Sequence, residues 1–378
     1  MRWRGAWAAA QISGVIVSTL FWIVVAGFSL GVSAAAVGVG IARRKRSIEH
    51  RSVTAAAFGS LRSSPITVVA EDGVPLRVEV DEVVEPETAP KRRWSRGRPD
   101  PRVTVVFAHG YCLTMDSWHF QRAAYRGLVR TVFYDQRSHG RSGRSSREHA
   151  TIEQLGRDLR QILDEVVPDG PVVLVGHSMG GMTIVALAEQ FPELIGDRVV
   201  GVGLVSTTAG GLDVGRILLP MVPGKLGGRV AHGAVDTLRR RHRTVDGLRR
   251  AGKAVAMVAT DLFAFGDEVP AGYVEFVDEM LSATPFEVVA EFFPSFSSLD
   301  KFHAVEVLSR VPTAIICGTA DRMTSIGHSR KLHQRIAGSR LLECEGAGHM
   351  VPLERHDQVT AELDGLVVAY ISDHQQPV

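Results

Sequence analysis

The chain has 378 residues, of which 45% are hydrophobic and 22% are charged, and 38 are glycines. This composition is typical of a globular protein and excludes both a disordered chain and a collagen-like one. The formal net charge is only +2, so no overall positive field indicates a nucleic-acid-binding protein. Three cysteines are too few for a disulfide framework, and no Cys/His cluster has metal-ligand spacing. We therefore predict no metal and no other cofactor.

The N-terminal region is the first predicted element. No charged residue lies between Arg4 and Arg43, and this uncharged run is longer than the roughly 18 apolar residues that suggest a membrane-spanning helix. We predict that residues 1–45 form a transmembrane anchor, with a cleaved signal segment as the alternative. Basic residues after the run outnumber those before it, which predicts that the following domain is cytoplasmic. Cleavage of the segment would instead predict export.

The next stretch predicts a spacer and a hairpin. Residues 43–64 are compatible with a helix, and Asp72-Gly73 lies between two runs rich in β-forming residues. An Asp-Gly pair in this setting is a strong signal for a β-hairpin turn. Residues 86–102 contain four prolines and a Lys/Arg cluster, which predicts an exposed connection.

From residue 103 onward, short β-branched runs alternate with helical stretches. Such alternation predicts an α/β fold with a mostly parallel central sheet and helices on both faces. Ligands of such folds bind at the carboxyl ends of the strands. The predicted helices are Ile152–Val166 and Met179–Phe191, and the predicted strands are Val103–Ala108, Thr131–Tyr134, Val172–Val175, Val199–Val205, Thr313–Cys317 and Arg340–Cys344.

The most informative motif is Gly176-His177-Ser178-Met179-Gly180-Gly181, between an apolar strand and a helix. A sharp turn from strand to helix exposes the serine hydroxyl, and glycines on either side let backbone segments pass closely. The start of the helix supplies positive potential where an oxyanion would form. The pattern predicts that Ser178 is a nucleophile.

At this motif the chain resembles the α/β-hydrolase fold family, over roughly residues 65–372. The family has its acid after a late strand and its histidine after the last one, in the chain order serine, acid, histidine. Asp321 and His349 occupy these positions here. The resemblance implies that Ser178 is the nucleophile, that His349 is the general base and that Asp321 orients the imidazole. Asp300 and Glu345 remain alternative acids.

The resemblance also implies an oxyanion hole and a cap. His109-Gly110-Tyr111 follows the first parallel strand and is similar to the family's oxyanion loop, so the backbone N–H groups of Tyr111 and Met179 would face the reacting carbonyl. Regular strand spacing stops between Thr207 and Asp300, where the family carries a helical cap. The implied organisation is a first core part at 65–209, a cap at 210–300 and a second core part at 301–372.

Phenylalanines are concentrated in the predicted cap. Phe263, Phe265, Phe292 and Phe293 would line an apolar substrate pocket, although such rings equally well pack cap helices onto the core. Other polar residues are assigned structural roles: His177 shapes the turn, and Cys112 lacks the surroundings of a nucleophile.

The predicted function is that of a membrane-anchored serine hydrolase. Ser178 with a base and an oxyanion hole suits cleavage of carboxylic esters through an acyl-enzyme, with small-molecule or lipid-like esters as substrates. Epoxide hydrolases and haloalkane dehalogenases use aspartate at the position of Ser178, which argues against those activities. Cofactor-free perhydrolases and C–C bond hydrolases share the motif set, and a non-catalytic ligand receptor could share the fold. We predict a membrane contact through the N-terminal segment and no nucleic-acid partner.

Overall fold

The computed structural model describes residues 38–51, 57–84, 103–212 and 252–374. The chain divides into two compact units, Met1–Arg51 and Ser52–Val378. In the first unit, residues 38–49 are helical. The predicted membrane segment falls mainly on residues 1–37, which lie outside the described residues. The predicted connection at 86–102 lies wholly outside them. Within the described residues, no helix has the length and apolarity needed to cross a bilayer.

The second unit is built on an eight-stranded sheet within the described residues. The strand order is β1-β2-β4-β3-β5-β6-β7-β8. The first two strands form the predicted hairpin, and β2 also pairs antiparallel with β4, whereas all other neighbouring strands are parallel. The strands are β1 Pro65–Val69, β2 Pro75–Asp81, β3 Thr104–Ala108, β4 Arg130–Tyr134, β5 Val172–His177, β6 Val199–Val205, β7 Thr313–Gly318 and β8 Arg340–Cys344.

The sheet confirms the α/β interpretation of the sequence. The central strands are rich in valine, and β3, β5 and β7 are buried along their whole length, as expected where helices cover both faces. One hydrophobic cluster covers each face: Val106, Leu174 and Leu204 belong to one, and Phe107 and Val175 belong to the other. The alternation of side chains along a strand produces this division.

The helices cover the sheet and also form the predicted insertion. Its described part, residues 252–299, contains α4, α5 and α6 and no strand, whereas residues 213–251 lie outside the described residues. The spacer prediction is right for residues 43–49, but residues 57–64 contain no helix. In the part of the second unit that the structure describes, the helices are α1 His119–Tyr125, α2 Ile152–Val166, α3 Met179–Gln190, α4 Lys253–Ala264, α5 Ala271–Ala283, α6 Phe286–Ser297, α7 Ile326–Arg335, α8 Val351–Glu354 and α9 His356–His374.

A buried cation joins α1 to the antiparallel end of the sheet. The Arg122 side chain is 2% exposed, and its Nη1 lies 2.9 Å from Glu79 Oε2. Its Nε and Nη2 donate to the two carboxylate oxygens of Asp81, at 2.9 and 2.8 Å. Both acids lie on β2, so one guanidinium pairs with two carboxylates that the sheet has removed from water.

We expect Arg122→Met to lower the free energy of unfolding by about 3–5 kcal/mol, because two buried carboxylates would lose their counter-ion. The measurement is urea unfolding at neutral pH. Arg330→Met is the matched control: its ion pair with Glu343 lies at the surface, so its loss should leave the midpoint of urea unfolding nearly unchanged. Equal losses for the two variants would contradict this account of Arg122.

Candidate active site

Ser178 lies at the turn between β5 and α3 in a strained backbone conformation. Its φ is +52° and its ψ is −116°, a region that residues other than glycine rarely adopt. Hydrogen bonds fix this conformation: the Ser178 N–H donates to the Val205 carbonyl at 2.9 Å, and the Thr207 hydroxyl donates to the Ser178 carbonyl at 2.6 Å. The turn therefore holds Ser178 at the carboxyl end of the sheet.

The glycines beside Ser178 are required by close backbone contacts. A Cβ atom on Gly180 would lie 2.1 Å from the Ala108 carbonyl oxygen, and one on Gly176 would lie 2.4 Å from the Gly180 carbonyl oxygen. Neither separation is possible for a real side chain. The glycine spacing on which the sequence prediction depends thus has a steric cause: α3 begins directly against the backbone of β3 and β5.

His349 and Asp321 come together from loops that follow β8 and β7. His349 Nδ1 lies 2.9 Å from Asp321 Oδ2, and each residue is only 5% exposed. Asp321 Oδ1 accepts hydrogen bonds from the backbone N–H groups of Met323 and Thr324, at 2.8 and 2.9 Å. Burial works to raise the pKa of the Asp321 carboxyl, but His349 and these donors outweigh it and hold the pKa below its ordinary value. Asp321 is therefore a carboxylate at neutral pH.

Thr324 is a neighbour of this pair that the sequence analysis missed. Its hydroxyl lies 2.9 Å from Asp321 Oδ2, 2.8 Å from the Ser206 carbonyl and 3.3 Å from His349 Nδ1. The side chain of Asp321 bonds the backbone two and three residues further on, a pattern typical of Asp in turns. This turn pattern could have predicted the contact, because it brings the residue three positions after the aspartate back toward its carboxylate.

The alternative acids are not in contact with His349. Asp300 and Glu345 are both exposed, and Asp300 lies in an isolated β-bridge with Gly210. The carboxylate that is hydrogen-bonded to the His349 ring belongs to Asp321.

A buried histidine fixes the predicted oxyanion loop. His109 Nδ1 donates to the Gly110 carbonyl at 2.7 Å, and His109 Nε2 accepts from the Gln136 N–H at 2.9 Å. Burial lowers the pKa of His109 to about 3, so the ring is neutral and keeps one donor and one acceptor. Gln136 Oε1 in turn accepts from the Thr183 hydroxyl of α3 at 2.8 Å. The loop after β3 is thus bonded to the helix that begins beside Ser178.

Of the two residues predicted to supply oxyanion donors, Met179 directly follows Ser178 and Tyr111 lines the same cavity as Ser178. Met179 is the first residue of α3, where a backbone N–H has no acceptor within its own helix. Tyr111 lines the same cavity as Ser178, and its hydroxyl donates to the Val289 carbonyl of α6 at 2.5 Å. Tyr111 therefore connects the loop after β3 to the cap.

His177 links the serine turn to the histidine-bearing loop. Its Nε2 donates to the His349 backbone carbonyl at 2.9 Å, and the two ring centroids are 4.9 Å apart. Burial lowers the pKa of His177 to about 3, and the neighbouring His349 contributes in the same direction by a smaller amount. His177 is therefore a neutral structural donor, in keeping with the structural role assigned to it from the sequence.

A cavity of about 700 Å³ contains both Ser178 and His349 in its wall. Helices α4 and α5 supply most of its lining, which is mainly apolar, as is typical of small-molecule sites. No group of His, Cys, Asp and Glu among the described residues could hold a metal ion. The cavity is lined by Gly110, Tyr111, Leu113, Ser178, Gly252, Val255, Ala256, Ala259, Thr260, Phe263, Ala264, Val277, Asp278, Leu281, Ser282, Met323, His349 and Met350.

The four phenylalanines of the predicted pocket lie in different environments. Phe263 is 38% exposed and lines the cavity, whereas Phe265, Phe292 and Phe293 are buried and are not part of its wall. Phe292 instead packs in a hydrophobic cluster with Met179 at the start of α3. Of the four predicted rings, this cavity therefore has only Phe263 in its wall, and the residues that α4 and α5 contribute are mainly aliphatic.

Comparison with known proteins agrees with this architecture. The sequence model of the alpha/beta hydrolase family matches residues 105–363. The chain is 26% identical over 243 residues to a monoacylglycerol lipase of Mycolicibacterium smegmatis, covering 63% of this chain and 77% of the lipase. Two solved esterases are similar in fold. One, from Exiguobacterium antarcticum, has a TM-score of 0.61 at 18% identity over 80% of this chain and 99% of the esterase. The other, from Thermogutta terrifontis, has a TM-score of 0.60 at 20% identity over 82% of this chain and 99% of the esterase.

We expect Thr324→Val to slow the reaction of Ser178 with a fluorophosphonate by roughly 10- to 100-fold. A hydrogen bond to a charged group is worth about 1.5–3 kcal/mol, and its loss would free the Asp321–His349 pair to move. The measurement is the second-order labelling rate at neutral pH. Thr324→Ser keeps the hydroxyl and should react at nearly the natural rate. If the valine and serine variants react equally fast, the hydroxyl does not position this pair.

Proposed function

The chain belongs to the alpha/beta hydrolase family, and we propose that it is a serine hydrolase that cleaves carboxylic esters with hydrophobic acyl groups. One observation carries the proposal: Ser178 and His349 line the same apolar cavity, and His349 is hydrogen-bonded to a buried carboxylate. An alcohol, a base and an orienting acid in this order are the groups that acyl transfer to serine needs.

In the proposed reaction, Asp321 determines which nitrogen of His349 is basic. The Nδ1–H of His349 donates to Asp321 Oδ2, so Nε2 of the neutral ring carries the lone pair. Nε2 takes the proton of Ser178 Oγ as this oxygen attacks the ester carbonyl carbon. The carbonyl oxygen becomes negative, and the backbone N–H groups of Tyr111 and Met179 stabilise it. Asp321 stabilises the imidazolium that forms and keeps its own charge.

The tetrahedral intermediate then collapses to an acyl-enzyme. The bond from carbon to the leaving oxygen breaks, and protonated His349 gives its proton to the departing alcohol. Water attacks the acyl carbon in the second half, with His349 Nε2 as the base, and the bond to Ser178 Oγ breaks. His349 returns the proton to the serine, the carboxylic acid leaves, and the site is restored.

The cavity lining supports an apolar substrate. Val255, Ala259 and Leu281 contribute hydrocarbon surface near Ser178 and His349, and burial of an acyl chain against such surface contributes roughly 25 cal/mol per Å². Similarity to a monoacylglycerol lipase supports a lipid-like ester as one candidate. The proposal commits to the ester bond and the apolar acyl group and leaves the alcohol open.

Two further activities would use the same catalytic groups. A perhydrolase would transfer the acyl group to peroxide, and a C–C bond hydrolase would cleave a carbon–carbon bond beside a carbonyl. Neither is favoured by a specific contact in the described residues. The non-catalytic receptor of the sequence analysis would need neither a strained serine nor a buried His–Asp pair.

We expect the protein to hydrolyse p-nitrophenyl esters and to prefer medium or long acyl chains over acetate, because longer chains bury more surface in the cavity. The measurement is kcat/KM for esters of graded chain length. Ser178→Ala should lower kcat/KM by at least about 1,000-fold and abolish fluorophosphonate labelling. A short-chain optimum would contradict the hydrophobic acyl group. A folded natural protein that neither hydrolyses esters nor is labelled would contradict the hydrolase.

We also propose that residues 1–45 anchor the protein to a membrane, with the hydrolase domain on the cytoplasmic side. The support is the uncharged run between Arg4 and Arg43 and the basic residues that follow it. The full chain should stay with membranes after an alkaline wash, whereas a variant without residues 1–45 should appear in the supernatant and keep its esterase activity. Protease added to spheroplasts should leave the domain intact. Release of the full chain by the wash, or digestion of the domain, would contradict the proposal.

A further inference from the structure

Two segments beside the cavity pack backbone against backbone, and no side chain would fit between their glycines. We name residues 345–350 the histidine loop and residues 264–267 the cap segment. The Met350 N–H donates to the Ala264 carbonyl at 2.9 Å. A Cβ atom on Gly266 would lie 2.1 Å from the Gly346 carbonyl oxygen, and one on Gly348 would lie 2.4 Å from the Gly266 nitrogen. The two backbones are therefore in direct contact.

One carboxylate bridges these two segments. Glu354, at the end of α8, is partly buried, and its Oε1 accepts from the Gly348 N–H at 2.7 Å. Its Oε2 accepts from the N–H groups of Gly266 and Asp267, at 3.0 and 3.3 Å. Each oxygen of a single side chain thus bonds a different segment. Arg355 adds an outer connection, because its Nη2 contacts both Asp267 and the Glu345 carbonyl.

The bridge lies between a reacting group and a wall of the cavity. Gly348 directly precedes His349, whose ring is bonded to Asp321. On the other side, Phe263 lines the cavity immediately before the cap segment, and Ala264, the first residue of that segment, lines it as well. A shift of either backbone would change the distance from the imidazole to a substrate that rests on α4. Misplacement of a reacting group by about 1 Å can cost roughly 100-fold in rate.

We propose that Glu354 is a positioning residue that clamps the histidine loop to the cap segment and so sets where His349 stands relative to the cavity wall. The proposal rests on the proposed ester hydrolysis for its kinetic consequence, whereas the clamp itself is a property of the fold. Glu354 does not touch the substrate in this account. It acts through the backbone of Gly348 and Gly266.

The kinetic test is Glu354→Gln. The amide keeps one acceptor oxygen, but its NH₂ group would face backbone N–H donors, so one segment loses its partner. We expect kcat for p-nitrophenyl acetate to fall by roughly 10- to 100-fold while KM changes less than about twofold, because the small acetyl group needs few wall contacts. Fluorophosphonate labelling should slow by a similar factor. Rates are given per active site, with sites counted by labelling to completion.

Two further variants make the comparison specific. Asp357→Asn removes a carboxylate three residues away whose side chain is 96% exposed, and its rates should match those of the natural protein. Glu354→Asp keeps the charge on a shorter stem, so its loss of kcat should lie between those of the natural protein and Glu354→Gln. If Glu354→Gln does not fold, Glu354→Asp carries the same test with a smaller expected loss.

Hydrogen exchange tests the clamp without any activity. In Glu354→Gln, amides of the histidine loop and of the cap segment should both exchange faster, because the segment that loses its acceptor is no longer tied to the other through this side chain. Faster exchange in only one segment, an unchanged kcat per active site, or a loss explained by fewer labelled sites would overturn the proposal. If the natural protein shows no hydrolysis or labelling, the proposed function fails, and the exchange result still decides whether the clamp exists.

Discussion

The site depends on one buried hydrogen bond, from His349 Nδ1 to Asp321 Oδ2. A histidine and a carboxylate removed from water are stable together only if the remaining atoms of both are satisfied by fixed partners. Asp321 obtains these partners from the turn that follows it. The backbone at His349 is held from two directions, because His177 donates to its carbonyl and Glu354 accepts from the N–H of Gly348. The pair can therefore be buried only because these polar groups satisfy its remaining atoms.

The same burial keeps two nearby histidines neutral. His109 and His177 are buried without carboxylate partners, and the cost of desolvating a cation lowers the pKa of each to about 3. Both rings are neutral at physiological pH and act as fixed donors and acceptors. His349 differs because its ring is bonded to a carboxylate that would stabilise the imidazolium. Three histidines at one edge of the sheet thus have different roles because their partners differ.

Much of this could be predicted from the sequence, for physical reasons that also explain the failures. Valine-rich runs reveal buried parallel strands, and the glycines around Ser178 mark backbone contacts that exclude a side chain. The pocket was harder to predict, because a cluster of phenylalanines does not reveal which face of a helix each ring occupies. Thr324 was missed although the turn after Asp321 offered a signal for it. Glu354 was missed because its partners are backbone N–H groups, two of them distant in the sequence, and such hydrogen bonds leave no pattern of residue types.

The cap helices contact the rest of the second unit at several points, and these contacts affect the shape of the cavity. Helix α5 lines the cavity with Val277 and Leu281, while its Phe276 ring stacks on Phe58 with centroids 4.4 Å apart. Helix α6 is bonded to the oxyanion loop through the Tyr111 hydroxyl, and the end of α4 is bonded to the histidine loop through Glu354. Two of these attachments connect a cavity wall, formed by α5 or by the end of α4, to another part of the second unit. The third connects α6 to Tyr111, which itself lines the cavity. Substrate size and catalytic geometry are therefore coupled: a change that widens the cavity by moving a cap helix also displaces the groups that would perform the reaction.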